Sequence, residues 1–234
     1  MANFELAYKT TAGHEGGYVI DTNGYEAYRG INREYNPTWA GWAIIDSYKQ
    51  NYPNRKIPQF TIFNNPTLDQ LAMQNAKAKY WDVLHGDEII SQGFANFLYD
   101  FHYASGALAV QKLQSLLGVT VDGGLGPKTL AALNAALKKD LKGFYDKFWN
   151  VRMAFNETLR GTKYIPESWW PGVKERLESY KNSIADEIGA IASTAVSTVK
   201  KKSGLIVGII LLILFIAVTI YLLHLKRVKH DSHH

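Results

Sequence analysis

Apolar residues recur at helical spacing at Phe4, Ala7, Tyr8 and Thr11, and the pattern stops at Gly16-Gly17, a good helix terminator. From residue 18 to residue 66 the periodicity dissolves into a stretch rich in Asn, Gly, Pro, Tyr and Trp. That stretch predicts loops, short helices and a short hairpin turning through Asn23-Gly24. Thr67-Leu-Asp-Gln70 reads as a capping box, opening a helix whose inner face is Leu68, Leu71, Ala72 and Tyr80. Gly93 or its surroundings are expected to bound a second unit. Beyond it come an amphipathic helix over Ala107–Leu117 and a turn over residues 121–129, with Pro127 suited to the first position of the next helix. A long amphipathic helix is predicted over residues 138–160, and mostly helical chain over residues 175–199. Strands do not alternate with helices, so a parallel α/β sheet is excluded and the chain reads as mainly α. No repeat with a period of 20–50 residues is visible.

One segment departs from all of these patterns. Residues 203–225 are 23 consecutive residues without a formal charge, with an apolar core from Gly204 to Leu223. A helix of ~20 such residues spans the ~30 Å hydrocarbon layer of a bilayer. Tyr221 lies near one end, and Lys or Arg flank both, as interfacial anchors do. The segment predicts one transmembrane helix over residues 204–223 and a short polar tail over 224–234. Met1-Ala-Asn-Phe-Glu-Leu6 has no basic region and no apolar run after it, so no secretory signal peptide is expected.

Charge changes the picture only once it is located. The net charge is +5, from 26 Lys and Arg against 21 Asp and Glu. Six of those bases and one of those acids lie beyond Val199, which leaves 20 of each in residues 1–199. A nucleic-acid partner would need a basic face on the folded body, and no excess exists there to build one. Cysteine is absent, which excludes a disulfide framework, a zinc–thiolate site and a thiol nucleophile. There is no phosphate-cradling Gly-rich loop followed by Lys-Ser/Thr, and no Gly-x-Ser-x-Gly elbow. His14, His85 and His102 lack metal-ligand spacing and are expected to be satisfied structural histidines. No metal site and no cofactor are expected.

The remaining candidate chemistry is His14-Glu15-Gly16-Gly17-Tyr18. A carboxyl at a helix C-terminus meets carbonyl dipoles, and with partial burial its pKa rises. Such a group can serve as a general acid near neutral pH. Glycosidic cleavage uses one such acid, commonly with a second carboxylate, and Asp21 and Glu26 follow closely. Spacing alone also fits a solvated helix-end residue with a plain glycine cap. Tyr18, Tyr25, Tyr28, Trp39 and Trp42 crowd the same segment; such rings either stack on sugars or pack a core.

Residues 11–46 resemble the N-terminal region of glycoside hydrolase family 108, the N-acetylmuramidases found as phage endolysins and secretion-activating proteins. The likeness rests on Glu15-Gly-Gly-Tyr18, Arg29-Gly-Ile31, Trp39-x-Gly-Trp42 and Ile45-Asp46. The later half resembles the family's predicted peptidoglycan-binding domain, through Leu113-Gln-x-x-Leu-Gly118, Val121-Asp-Gly123, Gly126-Pro-Lys-Thr129 and the aromatic–Arg helix around residues 145–152. Together these cover residues 1–182. One departure stands out: Ala27 occupies the place of the family's Thr, which in phage lysozymes helps hold the catalytic water.

The resemblance implies a mainly α, lysozyme-like catalytic region over residues 1–95 and a helical peptidoglycan-binding-like region over 96–182, followed by a helical linker over 183–203. It implies hydrolysis of the β-1,4 bond between N-acetylmuramic acid and N-acetylglucosamine. Glu15 would be the acid, Asp21 or Glu26 the second carboxylate, and Tyr18, Tyr25, Tyr28 and Trp42 the substrate-binding rings. The expected partners are bacterial peptidoglycan and a lipid bilayer, in a chain held by its C-terminal helix to the bacterial inner membrane. Two rival readings are a catalytically degenerate wall-binding anchor and a secretion or lysis accessory protein.

Overall fold

The computed structural model describes residues 1–12, 16–21 and 23–202. The expected transmembrane helix and tail therefore lie outside the described residues, as do His14 and Glu15. Among the described residues, no helix is long and apolar enough to cross a membrane. Residues 1–184 form one compact unit, and residues 185–234 form a second, whose described part is helical.

The architecture is mainly helical. Among the described residues, eight α-helices run in the order α1 (Phe4–Ala12), α2 (Gly41–Lys49), α3 (Pro66–Ala76), α4 (Gln92–Ser105), α5 (Ala107–Leu117), α6 (Pro127–Lys139), α7 (Leu141–Leu159) and α8 (Trp170–Lys202). Between α1 and α2 lies a three-stranded antiparallel sheet of β1 (Tyr18–Ile20), β2 (Glu26–Tyr28) and β3 (Ile31–Asn32), in that spatial order.

The predicted hairpin is present. Its register pairs Tyr18 with Tyr28, Val19 with Ala27 and Ile20 with Glu26. Asp21 closes the turn: one carboxylate oxygen accepts the Asn23 and Tyr25 amides, both at 2.9 Å, and Gly24 takes the left-handed backbone the bend needs. The next turn explains the Arg29-Gly-Ile motif. Tyr28 pairs with Ile31, so Arg29 and Gly30 are a two-residue loop, both at positive φ (47° and 76°). That is the turn whose twist matches the strands it joins. Gly30 is further confined because a Cβ there would lie 2.8 Å from the Tyr103 hydroxyl, which donates to the Arg29 carbonyl at 2.6 Å. A first core lies between this sheet and α2–α3, built on Tyr18, Tyr28, Ile31, Trp42, Ile45, Phe63 and Leu68.

Helix α4 is the axis of the second core. Ser91 caps it by accepting the Phe94 amide, and every residue from Gly93 to His102 is buried. Helix α1 packs on it from one side, and α5 follows directly after Gly106. Within α4, Asp100 is fully buried, and its carboxylate accepts from Arg152 of α7 at 2.6 Å and Arg176 of α8 at 2.7 Å. The Arg152 guanidinium also lies 4.9 Å from the rings of both Phe97 and Phe101. Burial opposes ionisation of Asp100, but the two guanidiniums outweigh it and hold the carboxyl well below its usual range. Thr11 and Tyr180 share a hydrogen bond of 3.2 Å that joins α1 to α8.

Several boundaries differ from the pattern-based expectation. Helix α4 begins at Gln92, beside Gly93, while the expected division between residues 95 and 96 falls within that helix. Helix α3 starts at Pro66 with Asn65 as its cap, accepting the Leu68 amide at 3.0 Å, so Thr67 is not the capping residue. The long helix begins at Leu141, because Asp140 ends α6 and caps α7 through the Gly143 amide. Helix α8 starts at Trp170, ahead of the expected residue 175.

Candidate active site

Residues Gly16, Gly17 and Tyr18 of the Glu-Gly-Gly-Tyr motif meet the loop before α3. Tyr18 donates its amide to the Thr61 carbonyl at 2.7 Å and accepts the Phe60 amide at 2.6 Å, so this loop docks along β1. A Cβ on Gly17 would lie 2.2 Å from the Thr61 oxygen, closer than any side chain can approach backbone. Glycine at position 17 is thus required by close passage of two chain segments. Its neighbour Gly16 lies beside the Phe60 ring, 3.6 Å from where its Cβ would be. Gln59 clamps the same edge further on, accepting the Ile20 amide at 3.0 Å and donating to its carbonyl at 3.3 Å.

Glu26 sits at the centre of a charged cluster on the other side of the hairpin. It accepts from the Tyr18 hydroxyl at 2.5 Å, from Arg33 at 2.6 Å and from Lys49 at 2.5 Å. Arg33 also grips Asp46 through two parallel bonds of 2.8 and 2.6 Å, and stacks 5.1 Å from the Trp42 ring. Burial raises the Glu26 pKa, but bonds from Lys49, Tyr18 and Arg33 outweigh it and hold the carboxyl below its usual range. The Arg33 fork lowers Asp46 to about 2. Burial, reinforced by the bond to Glu26, pushes the Tyr18 phenol well above its usual value.

Asp21 is placed differently. One oxygen is engaged by the two turn amides, and the other accepts only the Asn32 side-chain amide at 2.8 Å among the bonds recorded for it. No cation pairs with it among the described residues. A carboxylate held in this way keeps lone-pair capacity for a water molecule.

Of the four rings expected to bind substrate, Tyr18, Tyr28 and Trp42 are core residues with 2%, 0% and 3% exposure, while Tyr25 is 40% exposed. Sugar stacking needs an open face, which the first three lack. Their burial follows from the pleat, which turns Tyr18 and Tyr28 together toward α2, and from Trp42 donating to the Asn36 carbonyl at 2.7 Å. Ala27 is also buried. Gly41, in the Trp39-x-Gly-Trp motif, lets the Trp39 ring lie on α2, since a Cβ there would meet that ring at 2.2 Å.

Arg33, Lys49 and Phe60 were not singled out from sequence. Their partners are distant in the chain, and isolated charges in an aperiodic stretch carry no spacing signal. Phe60 has a φ of 65° and is 72% exposed, a combination that local pattern does not reveal. Among the histidines, His85 pairs with Glu88 at 2.9 Å. His102 is buried, with its pKa lowered by that burial and its Nδ1 without a partner, so it is not the satisfied residue expected. No group of three or more metal-ligating side chains occurs among the described residues.

The second half holds a cleft of about 610 Å³ between α5, α7, α8 and the chain near residues 164–165, lined by Leu108, Arg152, Phe155, Asn156, Tyr164 and Arg176. The motifs of this half surround Gln114, which is fully buried. Its oxygen accepts the Asp122 and Gly123 amides, while its amide donates to Asp122, the Gly124 carbonyl and Thr129.

A mainly helical body with a small antiparallel hairpin sheet, carrying carboxylates beside a Glu-Gly-Gly-Tyr segment, is the class of protein these observations define. The family model described as glycosyl hydrolase 108 matches residues 8–106. The solved structure of SagA from Brucella abortus is similar over most of its length. The likeness covers 78% of this chain and 94% of SagA, with a TM-score of 0.53 and 23% identity. No curated protein matches the chain.

Proposed function

We propose that this protein is a peptidoglycan hydrolase that cleaves the β-1,4 bond between N-acetylmuramic acid and N-acetylglucosamine. The observation that carries this reading is the family match over residues 8–106, which contains the intact Glu15-Gly-Gly-Tyr18 motif. Glu15 is the general acid that protonates the leaving oxygen. Asp21 is the second carboxylate, because all three of its donors are neutral amides and no cation pairs with it among the described residues, whereas Lys49 and Arg33 neutralise Glu26. Glu26 instead fixes the hairpin to α2. No metal or cofactor enters the reaction. The apolar segment over residues 204–223 anchors the body to the bacterial inner membrane. Release of reducing ends from purified peptidoglycan tests the activity. Glu15→Gln keeps the shape and removes the titratable proton, so turnover should fall by ~10²–10⁴-fold with little change in thermal stability. A variant retaining more than half the rate would refute the assignment.

The second reading is a wall-binding protein with little turnover. The cleft of about 610 Å³ favours it, since it lies within the region resembling a peptidoglycan-binding domain. Sedimentation with insoluble cell walls, in the absence of any reducing-end release, would select this reading.

A further inference from the structure

We infer that Phe60 is a substrate-positioning residue, an aromatic platform beside Gly16 on which one sugar ring of the glycan strand stacks. The inference rests on the hydrolase reading for the identity of the ligand, but its structural grounds are separate.

Three observations converge on this residue. Its backbone lies in the left-handed region at φ 65°, which an aromatic residue seldom adopts. Its ring gains little burial in return, since the residue is 72% exposed. Its position is nonetheless fixed, because the Phe60 amide and the Thr61 carbonyl are both bonded to Tyr18. A strained backbone that holds a large apolar ring in water has no packing reason, and such strain concentrates at binding sites.

The location supplies the ligand. The Phe60 ring is the side chain beside Gly16, the residue that follows Glu15 in the chain. Ile62 and Ile20, on the two segments joined by these bonds, are also exposed, at 62% and 46%. A pyranose has one face of axial C–H groups that packs on a flat ring, and its hydroxyls stay in water at the rim. The buried rings of Tyr18, Tyr28 and Trp42 lack an open face for this contact.

The test uses the full chain with wild-type, Phe60→Ala and Phe60→Trp side chains. It measures binding to insoluble, purified peptidoglycan by sedimentation, initial rates of reducing-end release, and thermal midpoints. The inference expects Phe60→Ala to weaken binding and raise KM about tenfold while kcat moves less than threefold, and Phe60→Trp to restore both. Midpoints should stay together, since the ring contributes little burial. If the alanine variant binds and turns over as wild type does, the platform is refuted and the hydrolase reading survives. If wild type shows no turnover but the alanine variant alone loses binding, the hydrolase reading fails and the platform stands. A loss that Phe60→Trp does not restore, or one that tracks a lowered midpoint, overturns the inference as well.

Discussion

At the scale of single residues, the two carboxylates that follow Glu15 are distinguished by what donates to them. Asp21→Asn keeps an oxygen for the Asn23 and Tyr25 amides, so the turn should survive while turnover falls at least ~10²-fold, as for loss of a general base. Glu26→Gln does the reverse. It removes the charge shared by Arg33 and Lys49, and should lower stability by ~1–3 kcal/mol with a smaller loss of turnover in the protein that stays folded. Paired denaturation curves and rates check both; equal losses of rate would show that Asp21 has no special part. Gly17→Ala should be more disruptive than either, since the added methyl meets the Thr61 carbonyl, and a midpoint within 2 °C of wild type would contradict the close passage. Glu15, Asp21 and Glu26 were legible as acids near a glycine pair, and the resemblance supplied their context. Which acid is paired with cations was not legible, because Lys49 and Arg33 reach Glu26 from other elements and leave no mark on local spacing.

Among the elements, helix α5 and the starts of α1 and α6 were legible almost to the residue, through a clean apolar period in each and, for α5 and α6, a glycine or proline at the boundary. Helix α4 was not, since burial on all sides erases the polar stripe on which periodicity depends. The motifs after α5 were visible as a turn, and the structure supplies their reason. Gln114 draws the 122–124 backbone and Thr129 onto α5, so Leu113-Gln, Asp-Gly and Pro-Lys-Thr form one fastening. Gln114→Leu removes the acceptor of the part-buried Asp122 and Gly123 amides and should cost ~1–3 kcal/mol in chemical denaturation. A cost under 0.5 kcal/mol would show that the turn holds itself.

For the molecule as a whole, Asp100 joins α4 to α7 and α8, and its titration sets the response to acid. Its folded pKa is depressed, so the stability it contributes is complete above its unfolded value of ~3.9 and is lost as pH falls through the lower folded value. Asp100→Asn should therefore cost ~3–5 kcal/mol at pH 7 and a smaller amount as the pH drops below 3, measured by urea denaturation at both. A penalty independent of pH would show that the two guanidiniums do not depend on its charge. Residues 1–199 should unfold in a single thermal transition, because α4 belongs to both of the halves that sequence suggested. Two separated transitions would disprove this. The same helix bears on how such a gene can be rearranged. The segment that carries the family's likeness ends at residue 106, one position past α4, yet Asp100 depends on arginines at 152 and 176. A recombination event joining that segment to a foreign tail would inherit a sealed-in anion without its counter-charges. The heritable unit is therefore residues 1–184, and crossovers between relatives should yield folded offspring only when they fall after it.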